Sequence, residues 1–100
     1  MNMKISYLYR DGSNYKQYEF VIVEVPDGTR TAQVEETLRR QFSAHQLWPD
    51  VIHFKPEDLG WPTAYFDEHD KDDDLDVHEL EAVEPTDEPA TERFELAATT

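Results

Sequence analysis

The sequence predicts a small α+β domain of order β-β-α-β-β, one helix packed on a mainly antiparallel sheet. Three observations predict it. Two runs near the start alternate with period 2 in aromatic and β-branched residues. A third run repeats apolar residues every four positions. Later segments return to short apolar stretches bounded by Pro, Gly and acids.

Residues 3–10, MKISYLYR, form the first expected strand. Met3, Ile5, Tyr7 and Tyr9 share one face, and Lys4, Ser6, Leu8 and Arg10 the other. Asp11-Gly12-Ser13-Asn14 is turn chemistry, so a second strand over 18–25 should complete a hairpin. In that strand Tyr18, Phe20 and Ile22 oppose Val21, Val23 and Val25. Apolar on both faces, it is expected to be central or covered. After Pro26-Asp27-Gly28, Thr29 or Thr31 can cap a helix running to about His45. Val34, Leu38 and Phe42 make its core stripe, while Glu35 with Arg39 and Glu36 with Arg40 pair on its outer side.

Trp48-Pro49 breaks the helix, and Val51 to Phe54 is a short apolar run. Pro56 to Gly60 reads as one helical turn, with proline at its start and glycine after it. Residues 63–66 and 77–84 are the expected third and fourth strands. In the latter His78, Leu80 and Ala82 would face one way, and Val77, Glu79, Glu81 and Val83 the other. The remainder, PTDEPATERFELAATT, has two prolines, acids and small polar residues. It cannot bury enough surface to offset its ordering entropy. The chain therefore divides into a globular domain over 1–84 and a flexible acidic tail over 85–100.

The net charge is −14, unevenly placed. Residues 1–66 hold nine acids and seven bases, whereas 67–100 hold fourteen acids and two bases. Such a field repels phosphate and anionic lipid, which argues against direct nucleic-acid or membrane binding, and it attracts basic proteins and cations. There is no cysteine, so disulfides, thiolate metal sites and cysteine nucleophiles are excluded. That absence favours a cytoplasmic protein. The first twenty residues lack an apolar secretory core, and no run approaches the length of a membrane span. A hundred residues leave little volume for both a core and a deep enclosed site, so no cofactor is expected.

The opening KISYLYRDGSNYKQYEFVI, from Lys4 to Ile22, resembles a family of small uncharacterised bacterial proteins that begin K-I-S-Y-L-Y-R-D. Those proteins carry a late W-H-E-F-E-S-V-E-E-T segment, matched here by Val77-His78-Glu79-Leu80-Glu81-Ala82-Val83-Glu84, with Val77 and Leu80 in place of the tryptophan and phenylalanine. The resemblance implies a bacterial, cytoplasmic protein and carries over no activity or catalytic residue.

The sharpest local motif runs from Asp70 to Glu81. Laid on the twelve-residue EF-hand loop it puts Asp70, Asp72 and Asp74 at positions 1, 3 and 5 and Glu81 at 12. Leu75 stands where the sharp turn wants glycine, and no helices flank the loop. Weak binding of a divalent cation is the metal chemistry expected of it. His53, His69 and His78 show no H-x-x-x-H spacing for a transition metal. No G-x-S-x-G, phosphate-binding or dinucleotide-binding motif is present.

Three functional readings compete, one of them a solubility or scaffold role with no chemistry. The first is a small acidic, non-enzymatic binding or inhibitor protein acting on a basic protein such as a toxin, a nuclease or another nucleic-acid enzyme. Asp67, Glu68, Asp72, Asp73 and Asp74 would steer that partner. Trp48 and Trp61, each beside a proline, would be its apolar anchors unless both cover the end of the sheet. The alternative is a small metal-dependent or acid–base enzyme built on the acids and histidines of 67–81.

Overall fold

A computed structural model describes residues 1–10, 15–46, 50–64 and 77–94. Strands β1 (Asn2–Arg10) and β2 (Lys16–Glu24) are followed by helix α1 (Thr31–Gln41), a two-residue strand β3 (His53–Phe54) and a long strand β4 (His78–Thr86). One helix packs on a curled four-stranded antiparallel sheet of order β2-β1-β4-β3. The expected α+β class and element order are therefore correct.

The alternation in β1 does what it predicts. Met3, Ile5, Tyr7 and Tyr9 are all fully buried. Val21, Val23 and Val25 join the same face from the β2 side, and Val34, Leu38 and Phe42 cover it from α1. Phe54 and Trp61 close the core below. The helix starts differently from expectation. Thr29 closes the preceding turn, donating its hydroxyl to the Pro26 carbonyl at 2.6 Å. The cap position is Arg30, whose N–H is taken by the Gln33 side chain at 2.7 Å. That reach back from the third helical residue is half of a capping box. The α-helix stops at Gln41, and Ser43–His45 tighten into a 3-10 turn. Glu36 and Arg40 form the outer i,i+4 pair at 2.9 Å.

The third strand of the described residues lies at His53–Phe54. Thr63 and Ala64 are outside any strand, and 65–66 lie outside the described residues. The reason is visible in the hydrogen bonds. The Pro62 carbonyl accepts the Tyr7 hydroxyl. The Ala64 N–H goes to His78 Nε2 at 2.9 Å and its carbonyl accepts from Gln17 Nε2 at 3.2 Å. Side chains satisfy this backbone, so it has no need of a ladder. By contrast Pro56–Leu59 forms the expected single turn, ended by Gly60 at φ 75°, a left-handed position suited to glycine.

In β4 the facing pattern changes midway. Ile5 pairs with Val83 and Ser6 with Ala82, but Tyr7 pairs with Leu80. Glu81 is thus the extra residue of a β-bulge, which re-phases the strand so that Leu80 and Val83, three apart, both reach the core. The expected strict alternation over 77–84 fails at this point.

The segment expected to be a flexible tail begins as strand, since β4 runs to Thr86. Beyond it the chain crosses to the outer edge of β2. There the N–H groups of Thr91 and Glu92 both meet the Ile22 carbonyl, at 2.7 and 3.1 Å. The Ile22 N–H in turn meets the Thr91 hydroxyl at 2.9 Å. Trp61 Nε1 donates to the Arg93 carbonyl at 3.0 Å, and the Phe94 ring lies 5.6 Å from that of Trp61. Residues 87–94 therefore act as a strap around β2, and the boundary expected at 84 is crossed by these contacts. Residues 95–100 lie outside the described residues.

Candidate functional site

The sheet has one face under α1 and one that no described element covers. β2 is an edge strand, so of the expected central or covered position the central one is excluded. Val21 and Val23 point into the core, so Tyr18, Phe20 and Ile22 point to the other side. Tyr18 is 57% exposed and Phe20 47%. On the same side Leu8 and Ile22 are buried. Lys4 Nζ stands 4.5 Å from the centre of the Phe20 ring, a cation–π distance. At the far end of this face Arg10 Nε bonds Glu79 at 2.8 Å.

Beside this aromatic patch runs a row of acids. Glu81 and Glu84 on β4, and Asp87 and Glu88 just beyond it, are exposed. None of the four forms an ion pair among the described residues. Glu84 is the register partner of Lys4, whose ammonium lies over Phe20. Two shallow grooves flank the strap. One of about 490 Å³ is lined by Met1, Asn2, Pro85, Thr86 and Asp87. Another of about 530 Å³ is lined by Leu59 and residues 90–93. Each carries a single carboxylate and no histidine.

Beneath the sheet lies a buried aromatic cluster. Tyr7 packs edge-on to Phe54 at 5.2 Å and to His78 at 5.7 Å, and stacks on Trp61 at 6.3 Å. Burial, together with the negative charges of Glu19 and Glu92, pushes the Tyr7 phenol well above its ordinary value. It is a neutral donor, held by the Pro62 carbonyl. His78 accepts from the Ala64 N–H on Nε2, so that nitrogen carries no proton.

His53 and His78 do not converge. Phe54 is the register partner of His78 and His53 that of Glu79, so the two imidazoles leave opposite faces of the β3–β4 ladder. Among the described residues no cluster of three or more His, Asp or Glu side chains can hold a metal ion. His53 is fully buried, and desolvation lowers its pKa against an opposing pull from Glu79. A lowered folded value means that the unfolded chain binds the proton first. Stability contributed by the neutral ring is therefore present above about pH 6.5, the unfolded value, and is lost as pH falls toward the folded one. Urea unfolding at about pH 7 and about pH 5 should show a drop that His53→Gln reduces. Equal pH slopes for the two proteins would remove His53 as the cause.

Of the sequence-derived site residues, Asp67, Glu68, Asp70, Asp72, Asp73, Asp74, His69 and Trp48 lie outside the described residues. Glu81 is an exposed bulge residue on a strand, where an EF-hand loop runs into a helix. Trp61 is 3% exposed and locked in the core, which removes it as a surface anchor. It covers the end of the sheet. Among the described residues the exposed aromatics are instead Tyr15, Tyr18 and Phe20, the last two side by side on the face away from the helix. Their signal in the sequence is the doubly apolar second strand, which marks an uncovered face as readily as a buried one.

What these features define is a small α+β domain with a helix-covered face, a second face that carries exposed aromatics and that no described element covers, and an acidic flank. No protein-family model, curated protein or solved structure matches the chain. Among the described residues no helix is long and apolar enough to cross a membrane.

Proposed function

We propose that this chain is a small acidic, non-enzymatic binding or inhibitor protein whose partner is a basic protein, of the toxin, nuclease or nucleic-acid-enzyme kind. The observation that carries the reading is the row Glu81, Glu84, Asp87 and Glu88, exposed and unpaired among the described residues, on a chain of net charge −14. Fixed carboxylates on a strand keep their spacing. They attract a basic surface without the ordering cost that a mobile acidic segment carries. Tyr18 and Phe20 beside them supply apolar area of the type that anchors interfaces. The acids of 67–76 add to the same field. The sequence resemblance to small bacterial proteins agrees with a cytoplasmic setting for such a pair.

The test uses two immobilised proteins, the wild type and a variant with Glu81, Glu84, Asp87 and Glu88 all replaced by glutamine. A basic protein retained by the wild type should elute at moderate salt, because exposed charge pairs are screened. Its association rate with the variant should fall about tenfold or more at low salt, with dissociation little changed. Retention of the same proteins by both, with equal rates, would sink the reading. The competing metal-dependent enzyme is tested on the wild type by calorimetry with calcium and manganese. Weak binding fits an electrostatic role, whereas a dissociation constant below about 10 μM favours a built cation site.

A further inference from the structure

We propose that the chain forms a twofold dimer through the free half of the β2 edge, Lys16–Phe20, paired antiparallel with the same segment of a second copy. The proposal is independent of the basic partner and goes beyond it.

The backbone sets the direction. Ile22 sends its N–H and carbonyl away from β1, to Thr91 and Glu92 of the strap. In an antiparallel pair the outward groups recur at every second residue, so those of Phe20, Tyr18 and Lys16 also point off the sheet. The strap covers the edge at Ile22 and Val23 only. Below it the Phe20 N–H is met by its neighbour Glu19 at 3.0 Å, and the Tyr18 and Lys16 groups have no hydrogen-bond partner among the described residues. An unpaired edge flanked by exposed aromatic side chains is a template for another strand.

The local chemistry selects the second copy. A basic peptide suits the β4 flank of this acidic chain, but this edge carries Lys16, with Lys4 beside it on β1, against Glu19, while Arg10 is held by Glu79. Centred on Tyr18, a twofold pairing sets Tyr18 against its own copy and Lys16 opposite Phe20. That repeats between chains the arrangement Lys4 already makes with Phe20 at 4.5 Å. Gln17 falls opposite Glu19, so no like charges are opposed in this register. Roughly six backbone hydrogen bonds form in such a register. The interface is short, so the dimer belongs to the weak class.

The remote charge gives a signature. Two chains of net charge −14 repel at long range, so salt should strengthen the dimer, the opposite of its effect on a basic partner. Sedimentation of the full chain from about 10 μM to about 1 mM, at about 50 and 500 mM salt, should show mass rising toward twice the monomer, more so at high salt. Tyr18→Pro removes an N–H that points off the sheet and should abolish the rise. The chain has no cysteine, so Tyr18→Cys offers a second measurement that needs no proline. Directly opposed Cα atoms of a hydrogen-bonded pair lie about 5.5 Å apart, within disulfide reach. Mild oxidation should link Tyr18→Cys chains at least tenfold faster than Glu24→Cys chains, whose residue lies beyond the strapped end. A monomer at every concentration and salt, or equal linking at the two positions, overturns the proposal.

Discussion

Replacing Trp61 by alanine is expected to destabilise the protein by about 3–5 kcal/mol, a large part of the 5–15 kcal/mol typical of a domain. The size follows from how many parts meet at one ring. Trp61 stacks on Tyr7, packs edge-on to Phe54 at 6.0 Å and tilts against Phe94. Its Nε1 holds the Arg93 carbonyl, so the ring joins core and strap. Truncation opens a cavity and releases the strap together. Trp61→Phe separates the two effects. It keeps most of the apolar contact, leaves the Arg93 carbonyl unpaired and should cost about 1–3 kcal/mol. Amide exchange at Thr91 and Glu92 should then quicken more than in the core of β1, because only the strap has been loosened. A Trp61→Ala protein within about 1 kcal/mol of wild type by urea denaturation would show that this junction carries little of the fold.

Leu38→Ala is the second large effect, expected at about 2–5 kcal/mol. Leu38 is fully buried at the middle of the α1 stripe, between Val34 and Phe42, in the core that α1 covers together with Phe54 and Trp61. Gln41→Ala, one turn on and exposed, is the control and should stay within about 0.5 kcal/mol. Similar midpoints for the two variants would mean that α1 is not the lid of the core.

Local periodicity made much of this fold readable. The alternation of Met3, Ile5, Tyr7 and Tyr9 and the four-residue repeat of Val34, Leu38 and Phe42 each name a buried face. Both patterns express a single element meeting a single core, so neighbours in sequence suffice to reveal them. The third strand was not readable in this way. Its two residues are too few for a period, and the run at 63–66 has the composition of a strand while side chains from Tyr7, Gln17 and His78 occupy its backbone. The bulge at Glu81 likewise hides the true faces of β4, because one inserted residue reverses every later position.

The site was legible in its charge and not in its anchors. The imbalance toward residues 67–100 needs only counting, and the partner class proposed above rests on it. Which aromatics are exposed depends on what lies across from them. Trp61, beside a proline in an irregular segment, has every local mark of a surface residue, yet the strap and Tyr7 enclose it. Tyr18 and Phe20 have every local mark of a covered strand, yet β2 is the edge and the helix packs on the other side.

The sequence by itself determined the class, the helix, the hairpin and the acidity, since each rests on residue type and short spacing. Only the tertiary structure decided that β4 inserts between β1 and β3, that residues 87–94 strap β2, and that no described element covers one sheet face. The strap and the β1–β4 contacts join residues more than sixty positions apart, such as Ile22 with Thr91 and Arg10 with Glu79. Such a pairing is selected by the fit of whole surfaces and by loop closure, neither of which leaves a period in the chain.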